Sequence, residues 1–309
     1  MKIIKSLFER KSAAEPTAPA DISGLLNGFS VEVLPKTVGR LLERSEGLPA
    51  RSRVYIAYIQ GTDIVDMVST ARRLTDAGFE PMPHIPARLV KDRQTLSDWV
   101  ARYKNEAGVH QALVIGGGVD HPVGEFSSSI ELMATGVFQK AGFDRLHVAG
   151  HPEGNRDIDP DGTDKNTLAA LRWKQEFSEQ TGVDMAIVTQ FSFDSQPVIE
   201  WAQRLSAEGI RLPIHIGVPG PAKLQTLIRY ALHCGIGPSI RVLHRRAADV
   251  TRMMLPFTPE EFLNGIAHHK AANPGSKIAV SHFFPLGGID KVLEWNARFT
   301  REVGLPDVC

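Results

Sequence analysis

The stretch EAGVHQALVIGG (residues 106–117) ends a helical pattern with a glycine and runs on into an apolar strand, and KAGFDRLHVAG (residues 140–150) repeats that order. Glycine at this position supplies the left-handed backbone that ends a helix before the next element. The same punctuation occurs in DAG (76–78), QTG (180–182) and AEG (207–209). Five copies indicate a repeated unit of strand and helix.

Short runs rich in apolar and β-branched residues alternate with longer helical patterns, which is typical of parallel strands joined by crossover helices. Eight such runs can be counted: FSVEVL (29–34), RVYIAYI (53–59), FEPMPHI (79–85), QALVIGG (111–117), DRLHVAG (144–150), DMAIVTQ (184–190), RLPIHIG (211–217) and KIAVSHF (277–283). Apolar residues recur three and four apart over 63–77, 94–107, 126–141, 165–180, 196–208 and 221–234, and at least two more helices are predicted within 238–276.

Eight parallel strands suit either a closed barrel or an open doubly wound sheet. The open sheet usually carries a GxGxxG turn after its first strand, and none follows FSVEVL. The run GGGVD (116–120) follows strand four and is interpreted as a tight loop where the backbone approaches a ligand or another element. We therefore predict an α/β fold, a single-domain (β/α)8 TIM barrel over residues 22–309, after an N-terminal extension over residues 1–21.

Composition excludes several classes of function. The 309 residues contain 35 Lys plus Arg and 35 Asp plus Glu, so no broad attraction to nucleic acid or to a membrane surface is expected. The apolar runs are too short for a membrane helix. The two cysteines, Cys234 and Cys309, form no CxxC pair, which is typical of a reducing compartment. These features predict a cytoplasmic protein, and they leave a homo-oligomer open.

In α/β barrels the chemistry lies at the carboxyl ends of the strands. Glu32 interrupts an apolar strand, where a charge is costly to bury, so it is the strongest candidate for a catalytic group. Instead of a catalytic group, Glu32 could be an inward-facing carboxylate paired with a lysine or arginine. His84 and His282 could be buried core histidines whose ring nitrogens are hydrogen-bonded within the protein. The polar residues expected at this rim are Glu32, Gln60, His84, Asp120, His151, Glu153, Gln190 and His282.

Two other chemistries are disfavoured. The metal-ligand types at the rim show no HxH or HExxH spacing, and His268 and His269 are adjacent on a predicted helix, where they point apart. No metal is therefore predicted. There is no GxSxG elbow, and Cys234 lies in a predicted helix, so nucleophilic catalysis lacks support.

The order of several motifs resembles that of the methylenetetrahydrofolate reductases. The resemblance runs from about residue 28 to 286, and its motifs are SVEVLPK (30–36), PHI (83–85), GGGVDHP (116–122), HPEG (151–154), VTQFSFD (188–194) and GVPGP (217–221). It implies reduction of 5,10-methylenetetrahydrofolate to 5-methyltetrahydrofolate, or the reverse, with NAD(P)H as hydride source and FAD as the usual family cofactor. A folate and a nicotinamide nucleotide are then the implied partners.

The resemblance also implies roles for individual residues. Glu32 falls on the catalytic general acid, and Asp120 on the aspartate that contacts the pterin and tunes the flavin. Gln190 falls on the glutamine that binds folate, and His151 on the aromatic position beside the cofactor. The implied substrate contacts are Gln190, Phe191, Phe193, Leu224 and His282, and the implied cofactor contacts are His84, Gly117, Gly118, His151, Glu153, Asn155 and Lys174.

Several flavin positions depart from the family pattern. Pro86 replaces a threonine after strand three, and GGGVD lacks an arginine; on the helix LAALRWK (168–174) the flavin contacts appear as Thr167, Ala170 and Trp173, with Lys174 kept. Two hypotheses follow. FAD is held through substitutes such as Arg156, Lys165 and Arg172, or nicotinamide passes its hydride directly to the folate.

The contact with the folate tail also departs from the family pattern. Gly288 stands where an arginine would meet the folate tail, leaving Lys223 or Lys291 for that contact.

Two further functions stay open. One is a folate-dependent barrel lyase or methyltransferase, which would not oxidise NAD(P)H. The other is a non-catalytic folate-binding paralogue, which is harder to reconcile with the presence of Glu32, Asp120 and Gln190 together.

Overall fold

A computed structural model describes residues 21–233, 241–243 and 257–302. Its eight strands are all parallel and close into a barrel in chain order, with β8 paired to β1. The predicted (β/α)8 fold is therefore confirmed. The strands are β1 (Ser30–Val33), β2 (Arg53–Ile56), β3 (Glu80–Pro86), β4 (Gln111–Ile115), β5 (Arg145–Gly150), β6 (Ile187–Phe191), β7 (Ile214–Pro219) and β8 (Ile278–Phe284).

Helices pack around the outside of this barrel. Three of the longer ones, α3, α4 and α8, begin with an aspartate that caps the free backbone N–H groups; Asp63, Asp92 and Asp194 each accept such a bond. In the described ranges the helices are α1 (Ser23–Leu26), α2 (Val38–Leu42), α3 (Ile64–Asp76), α4 (Arg93–Ala107), α5 (Ser129–Ala134), α6 (Val137–Lys140), α7 (Lys165–Thr181), α8 (Ser195–Ala207), α9 (Leu224–His233), α10 (Glu260–Ala272) and α11 (Ile289–Glu302).

The five glycines predicted to end helices have the left-handed backbone conformation that the sequence predicts. Gly108 and Gly142 have φ of 65° and 75°, in the left-handed region. The other three glycines of the pattern, at 78, 182 and 209, have φ between 73° and 82°. Each therefore ends one helix and releases the chain into the next strand.

Some boundaries differ from the prediction. The helix predicted over 126–141 is two short helices, α5 and α6, because Gly136 takes a left-handed conformation with φ of 69° between them. Gln60 does not end β2, which stops at Ile56, and it lies exposed in the following loop. Within 238–276, where at least two helices are expected, the structure describes α10 and a helical stretch at 241–243. Cys234, Cys309 and residues 1–20 lie outside the described residues.

The main apolar core lies between the barrel and its helices, where strand residues such as Val54, Val114 and Ile216 are fully buried. A smaller cluster formed by Tyr55, Met82, Leu113 and Val188 fills the inside of the barrel. No helix within the described ranges is both long enough and apolar enough to span a bilayer.

Candidate functional site at the barrel mouth

Three side chains from three strands meet at the carboxyl end of the barrel. Oε2 of Glu32 on β1 lies 3.4 Å from Nε2 of His84 on β3 and 3.9 Å from Nε2 of His282 on β8. Glu32 keeps 20% of its side chain accessible, whereas that of His282 is 1% exposed. The carboxyl group therefore faces the mouth, and the two imidazoles lie behind it.

Burial sets the protonation of this group. Desolvation raises the pKa of Glu32, and the neighbouring His84 lowers it in part. Desolvation also lowers the pKa of His84, and it lowers that of His282 to about 3. The two histidines are consequently neutral near pH 7, so neither supplies the full positive charge that would fix Glu32 as a carboxylate.

His282 is oriented from both sides. Its Nδ1 atom lies 2.9 Å from the Ser30 hydroxyl, one strand away on β1. Its ring packs against Tyr55, with ring centroids 4.4 Å apart. These contacts leave Nε2 directed at Glu32, so the arrangement is a polar pocket rather than the simple ion pair considered from the sequence.

A β-bulge places Gln190. The pairing of β6 with β7 shifts register between Val188 and Phe191. The Thr189 hydroxyl fills this irregularity, accepting from the Gly217 N–H at 2.8 Å and donating to the Gln190 carbonyl at 2.8 Å. Bulges of this kind re-aim a side chain beside functional sites. Gly217 is required here, because a Cβ atom would lie 2.4 Å from the Gln190 carbonyl oxygen.

Gln190 belongs to a second polar group over β5 and β6. It hydrogen-bonds His151, whose Nδ1 atom is also 3.4 Å from Nδ2 of Asn155. Burial and the charge of Lys174 lower the pKa of His151 to about 4. Glu153 lies in the same loop and accepts a hydrogen bond of 2.7 Å from the Ser192 hydroxyl, which ties the β5 and β6 loops together.

Lys174 is an unusual member of this group. It lies on α7, and the residue is only 6% exposed. Desolvation lowers its pKa to about 8. Within the described part of the chain its ammonium has no hydrogen-bond or ion-pair partner. A largely desolvated charge without a partner is costly, so this ammonium is a candidate contact for an anionic ligand.

An apolar cluster adjoins the Glu32 pocket. Phe191 and Phe193 make an edge-on contact. The ring centroid of Phe284 lies 5.4 Å from that of Phe191 and 4.8 Å from that of His282, so Phe284 connects the two. Leu224, at the start of α9, is buried in the same cluster. Phe191, Phe193 and Leu224 thus pack together in one buried apolar cluster, and their contact with a substrate stays a prediction.

The loop after β4 is built differently. Asp120 is exposed there, and so is Gly118. Gly117 has φ of 100°, and a Cβ atom on it would lie 3.3 Å from Cβ of Pro86, so this glycine serves a close approach to the end of β3. Arg88 fixes the loop by donating to the Val119 carbonyl at 3.0 Å and pairing with Asp157 at 2.8 Å.

The described residues do not provide the usual donor set of an FAD pyrophosphate. Lys174 is one buried cation, but Arg88 is already paired with Asp157. Arg172 pairs with Glu208 at the end of α8, in the outer helical layer. A pyrophosphate is normally held by several cationic or bidentate donors. Arg156 and Lys165 are exposed, as are Lys223 and Lys291.

Sequence reasoning missed the polar residues inside the barrel. Tyr55, His147 and His215 are buried there, on β2, β5 and β7. Each lies within a strand rather than at its end, which is why the search of strand ends passed over them. The available signal was their alternation with apolar residues, because side chains two apart face the same side of a strand.

Across residues 21–233, 241–243 and 257–302, no group of three or more His, Cys, Asp and Glu side chains is arranged to hold a metal ion.

No family model matches the chain. Among solved structures it is similar to an uncharacterized protein from Clostridium thermocellum, described as binding two copies of 5-methyl-5,6,7,8-tetrahydrofolic acid. The TM-score is 0.57 at 12% sequence identity, and the match covers 91% of this chain and 98% of the other. At this identity the likeness establishes a shared fold.

Proposed function

We propose that this barrel is a folate-dependent oxidoreductase that interconverts 5,10-methylenetetrahydrofolate and 5-methyltetrahydrofolate, with a nicotinamide nucleotide as the hydride partner. The observation that carries the proposal is the placement of Glu32. Its carboxyl group opens to the barrel mouth, its pKa is raised by burial, and the two histidines behind it are neutral. This is the environment of a carboxylic acid that holds a proton for transfer.

The chemistry needs one proton and one hydride. Glu32 donates its proton to a folate nitrogen, the five-membered ring opens, and the N5-methylene iminium forms. The hydride then adds to the methylene carbon, giving 5-methyltetrahydrofolate and the oxidised nucleotide. Glu32 is left as a carboxylate, and the reverse reaction returns its proton.

The rest of the mouth offers contacts for a pterin. The Gln190 amide has donors and an acceptor suited to the edge of a pterin ring. Phe191, Phe193 and Phe284 form an aromatic cluster beside it. The folate described in the Clostridium thermocellum structure, which has the same fold, supports this ligand class.

We further propose that the hydride passes directly from NAD(P)H to the folate. A tightly held FAD would need several cationic donors for its pyrophosphate, and among the described residues the mouth provides one buried cation, Lys174. A dissociable nucleotide requires less binding energy than a resident cofactor. Lys174 then contacts an anionic part of the nucleotide.

The test is NAD(P)H oxidation by the purified protein with 5,10-methylenetetrahydrofolate, measured with and without added FAD, together with the visible absorption spectrum. A colourless protein that turns over fully without FAD supports the direct route. A yellow protein whose activity follows its flavin content contradicts the direct route but remains consistent with the proposed reductase activity.

A protein that binds 5-methyltetrahydrofolate but oxidises neither NADH nor NADPH with the methylene substrate contradicts the reductase itself. Binding of 5-methyltetrahydrofolate is therefore measured in parallel by calorimetry. That pair of results favours the non-catalytic folate-binding function, and methyl transfer to an acceptor thiol or amine favours the transferase.

A further inference from the structure

Beside its apolar cluster, the inside of this barrel carries polar side chains, whereas barrel interiors are usually filled by bulky branched residues. Tyr55, His147 and His215 are 0%, 2% and 7% exposed and come from β2, β5 and β7. These strands are not neighbours in the barrel, so contacts between the three residues cross its interior.

The contacts form a series that leads away from Glu32. His282, beside Glu32, packs on the ring of Tyr55. The Tyr55 hydroxyl lies 2.6 Å from Nδ1 of His147, which is a short hydrogen bond. The ring of His147 in turn contacts that of His215, with centroids 4.9 Å apart.

The series reaches solvent at the opposite end of the barrel. Burial, and after it Arg53 and His282, lowers the pKa of His215 to about 3, and the Asp184 carboxylate raises it only in part. Asp184 pairs with Arg145 at 2.7 Å, and 61% of the Asp184 side chain is exposed. His215 itself keeps 7% of its surface exposed, so its ring is a point where protons can enter from water.

Three ring nitrogens along the series have no hydrogen-bond partner within the described part of the chain: Nε2 of His84, Nε2 of His282 and Nδ1 of His215. Buried polar atoms of this kind are normally satisfied, often by water. The first two face Glu32, and the third lies at the far end. A neutral imidazole can pass a proton by accepting on one nitrogen and releasing from the other.

We propose that Tyr55, His147 and His215, with bridging water, return a proton to Glu32 from the far end of the barrel. The inference rests on the proposed function, in which each reduction leaves Glu32 as a carboxylate. Bound folate and the aromatic cluster cover the mouth side at that moment. One proton enters from water at His215, one proton shifts along each link, and one arrives on Glu32; no electrons move.

Tyr55→Phe tests this because it removes only the hydroxyl that bonds His147. Tyr58→Phe is the matched control, since the Tyr58 hydroxyl donates to the Thr62 carbonyl at 2.8 Å, outside the barrel interior. Two rates are measured for each protein: hydride transfer in a single turnover from the protonated enzyme, and steady-state kcat in H2O and D2O.

Tyr55→Phe is expected to lower kcat at least about tenfold and to change its solvent isotope effect, while the single-turnover rate stays within about twofold. Tyr58→Phe is expected to leave both rates unchanged. An unaltered kcat in Tyr55→Phe overturns the proposal. An equal loss in both rates also overturns it, because that result means a structural role.

A second measurement does not need turnover. With 5-methyltetrahydrofolate bound, infrared difference spectra against Glu32→Gln follow the exchange of the Glu32 proton for a deuteron. Tyr55→Phe is expected to slow this exchange, and an unchanged rate contradicts the path. If the wild-type protein neither binds the folate nor turns it over, the proposed function fails and the inference fails with it. Normal turnover in Tyr55→Phe removes the inference alone.

Discussion

Nε2 of His84 lies 3.4 Å from Oε2 of Glu32, so an imidazole from β3 approaches the carboxyl group of β1 across the barrel mouth. His84 lowers the pKa of Glu32, and Glu32 raises that of His84, but burial acts more strongly on each. Burial therefore disfavours the charged form of both groups, which works against a fixed ion pair. Because each residue shifts the pKa of the other, the pH dependence of the reaction should report the interaction between Glu32 and His84.

His84→Leu should move the alkaline limb of kcat/KM to higher pH. Glu32 must be protonated for the reduction, so activity falls as pH rises through its pKa. The leucine keeps the site buried and removes the group that lowers this pKa. A pH profile measures the midpoint, with His110→Leu as control, since His110 pairs with Asp144 beyond the start of β4. A midpoint that stays in place or moves to lower pH contradicts the role of His84.

Glu32→Gln should lower kcat by about 10²–10⁴, the usual contribution of a general acid, because the amide has no transferable proton. The shape of the side chain is kept, so the Kd for 5-methyltetrahydrofolate should change less than about threefold. Calorimetry and steady-state kinetics measure the two effects. Glu80→Gln is the control: Glu80 pairs with Arg51 at the start of β3, far from the mouth. Wild-type kcat in Glu32→Gln would exclude the acid role.

Gly217→Ala should raise the KM for folate more than the KM for NAD(P)H. The new Cβ atom would lie 2.4 Å from the Gln190 carbonyl oxygen and 2.6 Å from the Phe191 nitrogen, so the bulge must shift. Overpacking of this kind usually costs about 1–3 kcal/mol of stability. Gly116→Ala, at the end of β4, meets nothing within 4 Å and serves as control. Equal changes in the two KM values would argue against a folate role for Gln190.

The sequence was sufficient for the architecture because its signals are local. A glycine such as Gly108 marks the end of a helix through its own backbone conformation, and apolar runs mark strands through their own side chains. The helix predicted over 126–141 was wrong because apolar periodicity continues across Gly136, although the chain turns there. The apolar periodicity alone does not reveal that a single residue has a left-handed backbone conformation.

The site was harder, since it depends on distances between strands. The positions of Glu32, His84 and His282 in the predicted strands placed all three side chains at one rim of the barrel. The sequence did not show that both imidazoles approach the same carboxyl oxygen of Glu32. The contact of Tyr55 with His147 joins strands three places apart, and pattern within a single strand carries no information about it. Ion pairing of Arg172 with Glu208 was likewise invisible, because it depends on how α7 packs beside α8.

Lys174→Met should stabilise the protein and weaken nucleotide binding. Burial lowers the pKa of Lys174 to about 8, so the charged form in the folded state costs up to about 3 kcal/mol below that pH. Methionine has a similar shape and no charge. Urea unfolding should show a gain of about 1–3 kcal/mol, and the KM for NAD(P)H should rise. Lys165→Met, on the exposed start of the same helix, should change neither; a lower stability in Lys174→Met would mean that the ammonium is paired.

The buried histidines should make the fold sensitive to acid. Burial lowers the pKa of His215 and of His282 to about 3, against an ordinary value of 6.5. Between these limits the unfolded chain binds protons that the folded chain excludes, so stability is present above pH 6.5 and is lost as the pH falls toward 3. Each histidine contributes a slope of about 1.4 kcal/mol per pH unit. The raised pKa of Glu32 opposes this in part, because the folded state holds that proton more tightly.

His215→Asn isolates one of these slopes, since asparagine keeps a polar side chain and does not titrate. Urea unfolding at intervals from pH 7.5 down to about 5 should show a slope smaller by about 1.4 kcal/mol per pH unit than that of the wild type. His268→Asn, on the exposed face of α10, should leave the slope as it is. If the wild type and His215→Asn lose stability in parallel on acidification, His215 is protonated in the folded state. A proton path of neutral imidazoles would then have to be abandoned.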